Sequence, residues 1–240
     1  MASQKERLWN TLNLFEDYIL RGERSDHPEP PRFTGTTGKK KSSMGAGELG
    51  PEERIAALDA IAERVRRCTR CPLSDGRMNA VPGVGVLDPD VMVIGEGPGA
   101  DEDRRGIPFV GRAGQYLDKW LEAIEISRDN RAFIGNIVKC RPPGNRDPKP
   151  AESDACLPYL REQIELIRPR AILSVGRIAS QILIGSTAGI GRLRGKTYNY
   201  NGIPLVPTYH PSGVLRNPEL RRPVWEDLKR LTSLLERQSE

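Results

Sequence analysis

Short continuous runs of apolar residues, separated by longer segments with helical spacing, are the clearest pattern in the chain. The runs are Val91–Ile94, Ala132–Val138, Ala171–Val175 and Ile203–Pro207. A run of this length is typical of a strand that is buried on both faces of a sheet. Strands that alternate with helices connect through right-handed crossovers and form a mostly parallel sheet. The pattern predicts an α/β protein, a three-layer α/β/α sandwich around a central, mostly parallel four-stranded sheet.

Apolar residues recur at three- and four-residue steps in the segments that we predict to be helices. In the body of the chain these are 51–67, 112–124, 157–168, 177–184 and 219–238. The same spacing predicts a helix over residues 1–22. Residues 23–50 are rich in Pro, Gly, Ser and Lys and poor in apolar residues, which predicts a flexible linker. The expected organisation is therefore an N-terminal helix, a linker and one folded domain over residues 51–240.

The balance of charges leaves several classes of partner open. The 240 residues include 37 Lys and Arg against 32 Asp and Glu, a net charge of +5. A mild basic excess fits a polyanionic partner such as nucleic acid, and it equally fits an ordinary basic surface. No apolar run approaches the roughly 18 residues that a membrane-spanning helix needs, and the N-terminus lacks the apolar segment of a signal peptide. We therefore expect an intracellular protein without membrane association, in which disulfides are rare.

The spacing of the four cysteines indicates a metal site. Cys68 and Cys71 form a C-x2-C pair at the end of the first helix of the domain, and Cys140 and Cys156 form a wider C-x15-C pair. A C-x2-C pair lets two thiolates face one point. A structural zinc ion more often uses two close pairs, whereas an iron–sulfur cluster tolerates thiolates from scattered positions. We favour the cluster and keep zinc, or thiols without a ligand, as alternatives.

The first predicted strand runs into a glycine-rich, acidic loop with the sequence GEGPGADED at residues 95–103. Ligands of open α/β sheets bind outside the carboxyl ends of the strands, where this loop lies. The loop lacks both the phosphate-binding pattern GxxxxGK and the dinucleotide pattern GxGxxG, and Glu96 would repel a phosphate. The loop therefore argues against a phosphate cradle.

Three residues elsewhere in the domain are candidates for a binding pocket: Phe109, Asn136 and His210. Each also has a structural explanation, as core packing for the phenylalanine, a hydrogen bond to a loop for the asparagine and a turn for the histidine. Together they fit one base. An aromatic ring can stack on it, and an asparagine amide matches the O4 and N3–H edge of uracil rather than that of cytosine. His210 can hydrogen-bond O2 of the same base.

Four motifs and the cysteine spacing carry a family resemblance. GEGPGADED (95–103), PFVG (108–111), NIVKCRPP (136–143) and HPS (210–212) resemble the iron–sulfur uracil-DNA glycosylases of family 4. The resemblance covers residues 63–235 and keeps the order and spacing of the motifs. It implies a central parallel sheet between helices and a [4Fe–4S] cluster of structural role, held by Cys68, Cys71, Cys140 and Cys156. It also implies a pocket that receives uracil flipped out of DNA.

The resemblance implies roles for the residues of the pocket. Phe109 is expected to stack on uracil, Asn136 to read its edge and His210 to contact O2. The backbone of Gly97 is expected to line the site. Cleavage of the N-glycosidic bond passes through a cationic sugar and an anionic base, so a neutral donor near O2 stabilises the charge that develops on uracil.

The resemblance also implies a catalytic carboxylate and a contact with DNA. Glu96 is expected to position water or to stabilise the sugar cation, and Glu102 or Asp103 is the second choice for that carboxylate. Leu215 and Arg216 follow the HPS motif. We expect them to occupy the gap left by the flipped base and to contact phosphates.

The predicted function is monofunctional hydrolysis of the N-glycosidic bond of deoxyuridine in single- or double-stranded DNA, which releases uracil and leaves an abasic site. We expect a monomer that acts in the cytoplasm, at the nucleoid. Relatives that crosslink to uracil carry a histidine in a loop after the asparagine motif. Residues 136–156 contain no histidine, which argues against covalent trapping. The competing hypothesis is a non-catalytic DNA-binding module that holds a cluster. The intact set of Glu96, Phe109, Asn136 and His210 argues against that alternative.

Overall fold

The computed structural model describes residues 49–238, which alternate between strands and helices. The helices are α1 (Pro51–Arg66), α2 (Ala100–Arg105), α3 (Arg112–Glu122), α4 (Pro150–Ile167), α5 (Arg177–Ile184), α6 (Ile190–Leu193), α7 (Pro211–Arg216) and α8 (Arg221–Arg237). The strands are β1 (Val84–Gly85), β2 (Val91–Gly95), β3 (Ala132–Asn136), β4 (Ala171–Val175), β5 (Tyr198–Tyr200) and β6 (Ile203–Thr208). The predicted N-terminal helix and nearly all of the predicted linker lie outside the described residues.

The strands form one sheet in the order β1-β3-β2-β4-β6-β5. The four inner strands pair in parallel, as predicted. The predicted count of four strands was too small, because β1 and β5 add antiparallel pairs at the two edges. Strand β1 has two residues and β5 has three, so neither is long enough to show a periodicity in the sequence.

The inner strands are buried on both faces, which accounts for their continuous apolar sequences. Every residue of β2, β3 and β4 is buried. Met92 and Ile94 belong to the core that α1, α4 and α5 share, whereas Val91 and Val93 point to the other face because side chains alternate along a strand. On that other face α8 packs on β4 and β6, and α3 packs on α7. The result is the predicted three-layer α/β/α arrangement.

Three short helices were not predicted: α2, which includes the second half of the segment expected to be an acidic loop, α6, and α7, which carries Leu215 and Arg216. Among the helices that were predicted, the largest difference is at the start of α4. The helix begins at Pro150 rather than at residue 157, and it continues through Pro158. Proline is well suited to the first position of a helix and removes one hydrogen bond in its interior. The Glu152 carboxylate accepts from the Lys149 N–H at 2.7 Å, which stabilises this early start. Within residues 49–238, no helix combines the length and the apolar character that crossing a membrane requires.

Candidate active site

The carboxyl ends of the parallel strands open into a cavity of about 600 Å³. Its walls include all five residues that the sequence assigned to a pocket, which are Glu96, Gly97, Phe109, Asn136 and His210. Arg216 also lines the cavity. Leu215, on α7, is half-buried and does not line this cavity. Ligands of doubly wound α/β proteins bind at this edge of the sheet, so the cavity is the candidate active site.

Parallel pairing of β2 and β3 brings the acidic loop next to the asparagine. Gly95 lies opposite Asn136 in the register, and the pairing continues past the strands through hydrogen bonds from Ile137 N to Gly95 O and from Val138 N to Glu96 O, at 2.9 and 3.0 Å. A Cβ atom on Gly95 would stand 2.5 Å from Asn136 Oδ1 and 2.6 Å from Phe109 Cζ. The sequence reasoning did not single out Gly95, whose missing side chain makes room for both pocket residues.

Asn136 is 1% exposed, and its Oδ1 atom is buried without a hydrogen-bond partner among the described residues. Buried polar atoms in proteins are almost always paired, and a buried acceptor without a donor costs free energy. The alternative of a structural hydrogen bond to a loop therefore does not account for this oxygen. The arrangement suits a ligand that brings its own N–H donor into the cavity.

The acidic residues of the segment 95–103 differ in whether their carboxylates accept hydrogen bonds. The Glu102 carboxylate accepts from Gly99 N at 3.0 Å and from Val110 N and Gly111 N, both at 2.9 Å. Asp103 is buried and accepts from the N–H groups of residues 78 and 79 at 2.9 and 3.3 Å. Both carboxylates are thus engaged in holding backbone.

Glu96 makes no hydrogen bond or ion pair with its side chain within the described part of the chain. Its pKa is raised to about 7, first by burial and then by the negative charge of Asp147, while Arg177 opposes the rise. Asp147 and Arg177 form an ion pair with each other and line the same cavity. These two residues were missed in the sequence, because no local pattern places a loop aspartate next to the first residue of a distant helix.

His210 presents a neutral imidazole to the cavity. Its Nδ1 atom accepts from Ser212 N at 3.2 Å and lies 2.7 Å from Ser212 Oγ, which leaves the ring proton on Nε2. Burial, helped by the positive charge of Arg216, lowers the pKa of His210 to about 4, and Glu102 opposes this only in part. The ring centroid stands 5.8 Å from that of Phe109. At neutral pH the histidine is therefore an uncharged N–H donor.

The four cysteines line a second cavity. The Arg77 guanidinium donates to Cys140 Sγ at 3.0 Å, and the Lys139 N–H donates to Cys156 Sγ at 3.3 Å. Burial raises the pKa of Cys140, and it raises that of Cys156 to about 11. Over residues 49–238, no three His, Cys, Asp or Glu side chains are arranged to hold a single metal ion. The thiols are nevertheless gathered in one place, with donors directed at two of their sulfur atoms.

The two cavities share one short segment of chain. Asn136 ends β3 in the candidate active site, and Cys140 follows four residues later in the cysteine cavity. Lys139, between them, is buried and donates through Nζ to Asn136 O at 3.0 Å and to Gln163 Oε1 at 2.7 Å. Burial lowers the pKa of Lys139 to about 8. Any group that the thiols bind therefore lies next to the segment that carries the pocket asparagine.

Comparisons of the sequence with known proteins match it to one superfamily. The family described as "Uracil DNA glycosylase superfamily" matches residues 82–229. A type-4 uracil-DNA glycosylase of Saccharolobus solfataricus is 45% identical over 74% of this chain and 86% of its own length. One of Thermotoga maritima is 43% identical over 77% of this chain and 98% of its own length. A type-5 uracil-DNA glycosylase of Pyrobaculum aerophilum is 32% identical over 64% of this chain and 82% of its own.

Proposed function

Because the chain belongs to the uracil-DNA glycosylase superfamily, with type-4 members matching most of its length, we propose that it excises uracil from DNA. The reaction is hydrolysis of the N-glycosidic bond of deoxyuridine, which releases uracil and leaves an abasic site. No lysine lines the cavity within residues 49–238, so the chain offers no amine there for a covalent sugar intermediate. This supports a monofunctional enzyme that uses water.

The observation that carries the proposal is the buried Oδ1 atom of Asn136, which has no hydrogen-bond partner within residues 49–238. Uracil presents an N3–H donor beside its O4 acceptor, which matches the acceptor and donor of an asparagine amide. Cytosine presents an acceptor at N3 and would leave Oδ1 unpaired, so the pocket discriminates against it. Phe109, which packs against Gly95 beside Asn136, provides the face on which the flipped base stacks.

Glu96 and His210 are suited to the two charges of the transition state. The Glu96 carboxylate, without a structural partner, stabilises the cationic sugar or orients the attacking water. The neutral Nε2–H of His210 donates to O2, where negative charge develops as the base leaves. Because Glu102 and Asp103 are both engaged with backbone N–H groups, Glu96 is the preferred choice for the catalytic carboxylate.

A single-turnover assay tests the function directly. Oligonucleotides with one uracil, single- and double-stranded, are incubated with the wild type, with Asn136→Asp and with Asn201→Asp. The wild type is expected to form abasic sites, and Asn136→Asp to be slower by about two orders of magnitude or more, since a charged acceptor replaces the amide. Asn201→Asp makes the same change in an exposed turn and is expected to leave the rate unchanged. A wild type that binds DNA without releasing uracil contradicts the proposal and supports the non-catalytic module.

We further propose that Cys68, Cys71, Cys140 and Cys156 hold a [4Fe–4S] cluster. The four thiols fit such a group, because they line one cavity and two of their sulfur atoms accept hydrogen bonds, one from a guanidinium and one from a backbone N–H. Hydrogen bonds to the sulfur atoms are a means by which proteins stabilise iron–sulfur clusters. When bound, the cluster ties α1 and α4 to the segment after β3 and so supports Asn136.

Metal analysis distinguishes the cluster from its alternatives. We expect about four iron atoms and four acid-labile sulfides per chain, and none after Cys140→Ala. Ser74→Ala changes a residue of the same cavity that has no thiol, and it is expected to keep the cluster. Zinc in place of iron, without sulfide, would contradict the proposal.

The contact with DNA is part of the same proposal. Arg216 lines the cavity and is exposed, which supports a contact with a phosphate beside the flipped nucleotide. Leu215 is assigned the gap in the duplex as a neighbour of Arg216 on α7. A chromosomal substrate places the protein at the nucleoid, where we expect it to act as a monomer.

A further inference from the structure

The backbone at Phe109 adopts an unusual conformation for a large side chain. Its φ angle is +53°, in the left-handed region that residues other than glycine seldom occupy. Such a conformation persists only when surrounding contacts hold it, and it is common where function depends on exact placement. The contacts that hold Phe109 are therefore candidates for a part in the activity.

Arg128 binds the backbone carbonyls on both sides of the Phe109 Cα atom. Its Nη1 atom donates to Pro108 O at 3.2 Å and its Nη2 atom donates to Phe109 O at 2.9 Å. Asp118, on α3, accepts from Nε and Nη2 of the same guanidinium at 3.1 and 2.7 Å. The arginine side chain is only 21% exposed. The planar guanidinium of Arg128, which is held by the Asp118 carboxylate, thus binds two successive backbone carbonyls.

The chain that follows Phe109 is held as firmly. Glu102 accepts the N–H groups of Val110 and Gly111, the two residues that follow Phe109. Gly114 allows α3 to approach, because a Cβ atom there would stand 1.8 Å from Phe109 O. In the peptide group between Phe109 and Val110, Arg128 therefore binds the carbonyl oxygen and Glu102 binds the N–H.

The bend decides where the phenylalanine ring lies. The ring packs against Gly95 and stands 5.8 Å from the ring of His210, with an angle of 33° between the planes. A rotation of the peptide at Phe109 would move the whole ring relative to the asparagine amide. A base that stacks on the ring would then lose its alignment with Asn136.

We propose that Arg128 is a positioning residue for uracil, which sets the plane of the Phe109 ring through the carbonyls of Pro108 and Phe109. The inference rests on the proposed function. Arginine is required rather than any cation, because only its planar fork can bind Asp118 and two carbonyls at once.

The first test compares two matched substitutions. Arg128→Lys keeps the charge and removes the fork, and we expect the single-turnover rate of uracil excision to fall at least about tenfold, since small misplacements of a reacting group are costly. Arg170→Lys is the control. Arg170 also donates to a carboxylate, that of Asp90, and to a backbone carbonyl, that of Leu235, at the amino end of β4. Its substitution is expected to leave the rate unchanged.

A double-mutant cycle separates positioning from general stability. If Arg128 acts through the ring, Arg128→Lys costs little further activity once Phe109→Leu has removed the aromatic face. Losses that simply multiply, or an unchanged rate in Arg128→Lys, would overturn the inference. Should Arg128→Lys fail to fold, Asp118→Asn weakens the anchor of the same guanidinium and is expected to show the same dependence on Phe109.

A spectroscopic measurement keeps the inference separate from the proposed function. The chain has four phenylalanines, so the ¹⁹F resonance of fluorinated Phe109 can be assigned by its loss in Phe109→Leu. We expect this resonance to shift or divide in Arg128→Lys and to stay in place in Arg170→Lys. An unmoved resonance overturns the positioning role whatever the activity. A moved resonance in a protein whose wild type leaves uracil-DNA intact supports the positioning of the ring and refutes the glycosylase.

Discussion

The two ends of the central sheet treat buried polar groups in opposite ways. At the amino end, Asp90 precedes β2 and accepts hydrogen bonds from both Arg131 and Arg170. Arg54, 3% exposed, donates to Asp88 at 2.8 and 3.0 Å and to two backbone carbonyls at the end of α4. Each of these charged groups has several partners.

At the carboxyl end of the same strands, two polar groups that line the cavity have no hydrogen-bond partner among the described residues. Asn136 Oδ1 is buried and unpaired, and the carboxylate of Glu96 makes no hydrogen bond within residues 49–238. The side chains that do have partners there, such as Glu102, bind backbone and fix the positions of other residues. The comparison teaches that the charged groups at the amino end pair with one another, while Asn136 and Glu96 at the carboxyl end keep polar atoms available for a ligand.

The largest expected effect comes from replacing the unpaired amide. Asn136→Leu is expected to lower the rate of uracil excision by about two orders of magnitude or more, because the pocket loses its reading of the base edge. The thermal midpoint is expected to stay or to rise, because a buried acceptor without a donor has been removed. A variant that is clearly less stable would indicate that the amide has a structural role after all.

Glu96→Gln sharpens the comparison through its dependence on pH. The pKa of Glu96 is raised to about 7, so its carboxylate is lost as the pH falls through that value. The wild-type rate is therefore expected to rise with pH up to about 7 and then level off, while His210, with a pKa of about 4, stays neutral.

The glutamine variant is expected to be slower by about two orders of magnitude, with a flat profile over the same pH range. Glu236→Gln, at an exposed position of α8, is the matched control and should keep the wild-type profile. A glutamine variant that retains the rise near pH 7 would assign that step to another group.

The amino end predicts the reverse pattern of effects. Asp90→Asn removes the carboxylate that accepts from both Arg131 and Arg170, and we expect a loss of about 2 kcal/mol in the free energy of unfolding. The single-turnover rate of the folded variant is expected to match the wild type, because the substitution lies at the far end of the strands. Denaturant unfolding and the excision assay on the same preparation check both statements. A slower reaction without a loss of stability would break the division between the two ends.

The smallest expected effect concerns the exposed ion pair at the rim of the cavity. The negative charge of Asp147 raises the pKa of Glu96, and Arg177 lowers it. Asp147→Asn is therefore expected to move the pH profile of excision toward lower pH, by less than about one unit because the pair is exposed to solvent. Arg177→Gln is expected to move it toward higher pH. Shifts in the same direction for both variants would contradict this electrostatic explanation.

Local sequence patterns were sufficient for the four inner strands and for part of the cavity, although they missed Asp147 and Arg177. A strand buried on both faces must be apolar throughout, so an asparagine within such a run is conspicuous. Glycine and proline mark where each strand ends, and parallel pairing brings those ends together. Glu96, Phe109, Asn136 and His210 could therefore be named as one group, and they line one cavity.

Contacts between distant segments were beyond the reach of the same patterns. Edge strands of two or three residues have too little sequence to show a period, so β1 and β5 were missed. Arg128 contacts Phe109 across 19 residues of chain, and nothing near Arg128 distinguishes it from other surface arginines. Its partners depend on how the chain after α3 packs against Pro108 and Phe109, which is decided by the tertiary structure.

The sequence by itself determined the layers, the direction of the inner strands and the chemical types of the groups in the cavity, because periodicity and residue type are properties of neighbouring positions. Only the tertiary structure decided which carboxylate is occupied, as in Glu102, and which is left without a partner, as in Glu96. The physical reason is that pairing and burial depend on atoms from several segments at once. Burial, followed by the negative charge of Asp147 from a distant segment, raises the pKa of Glu96 to about 7.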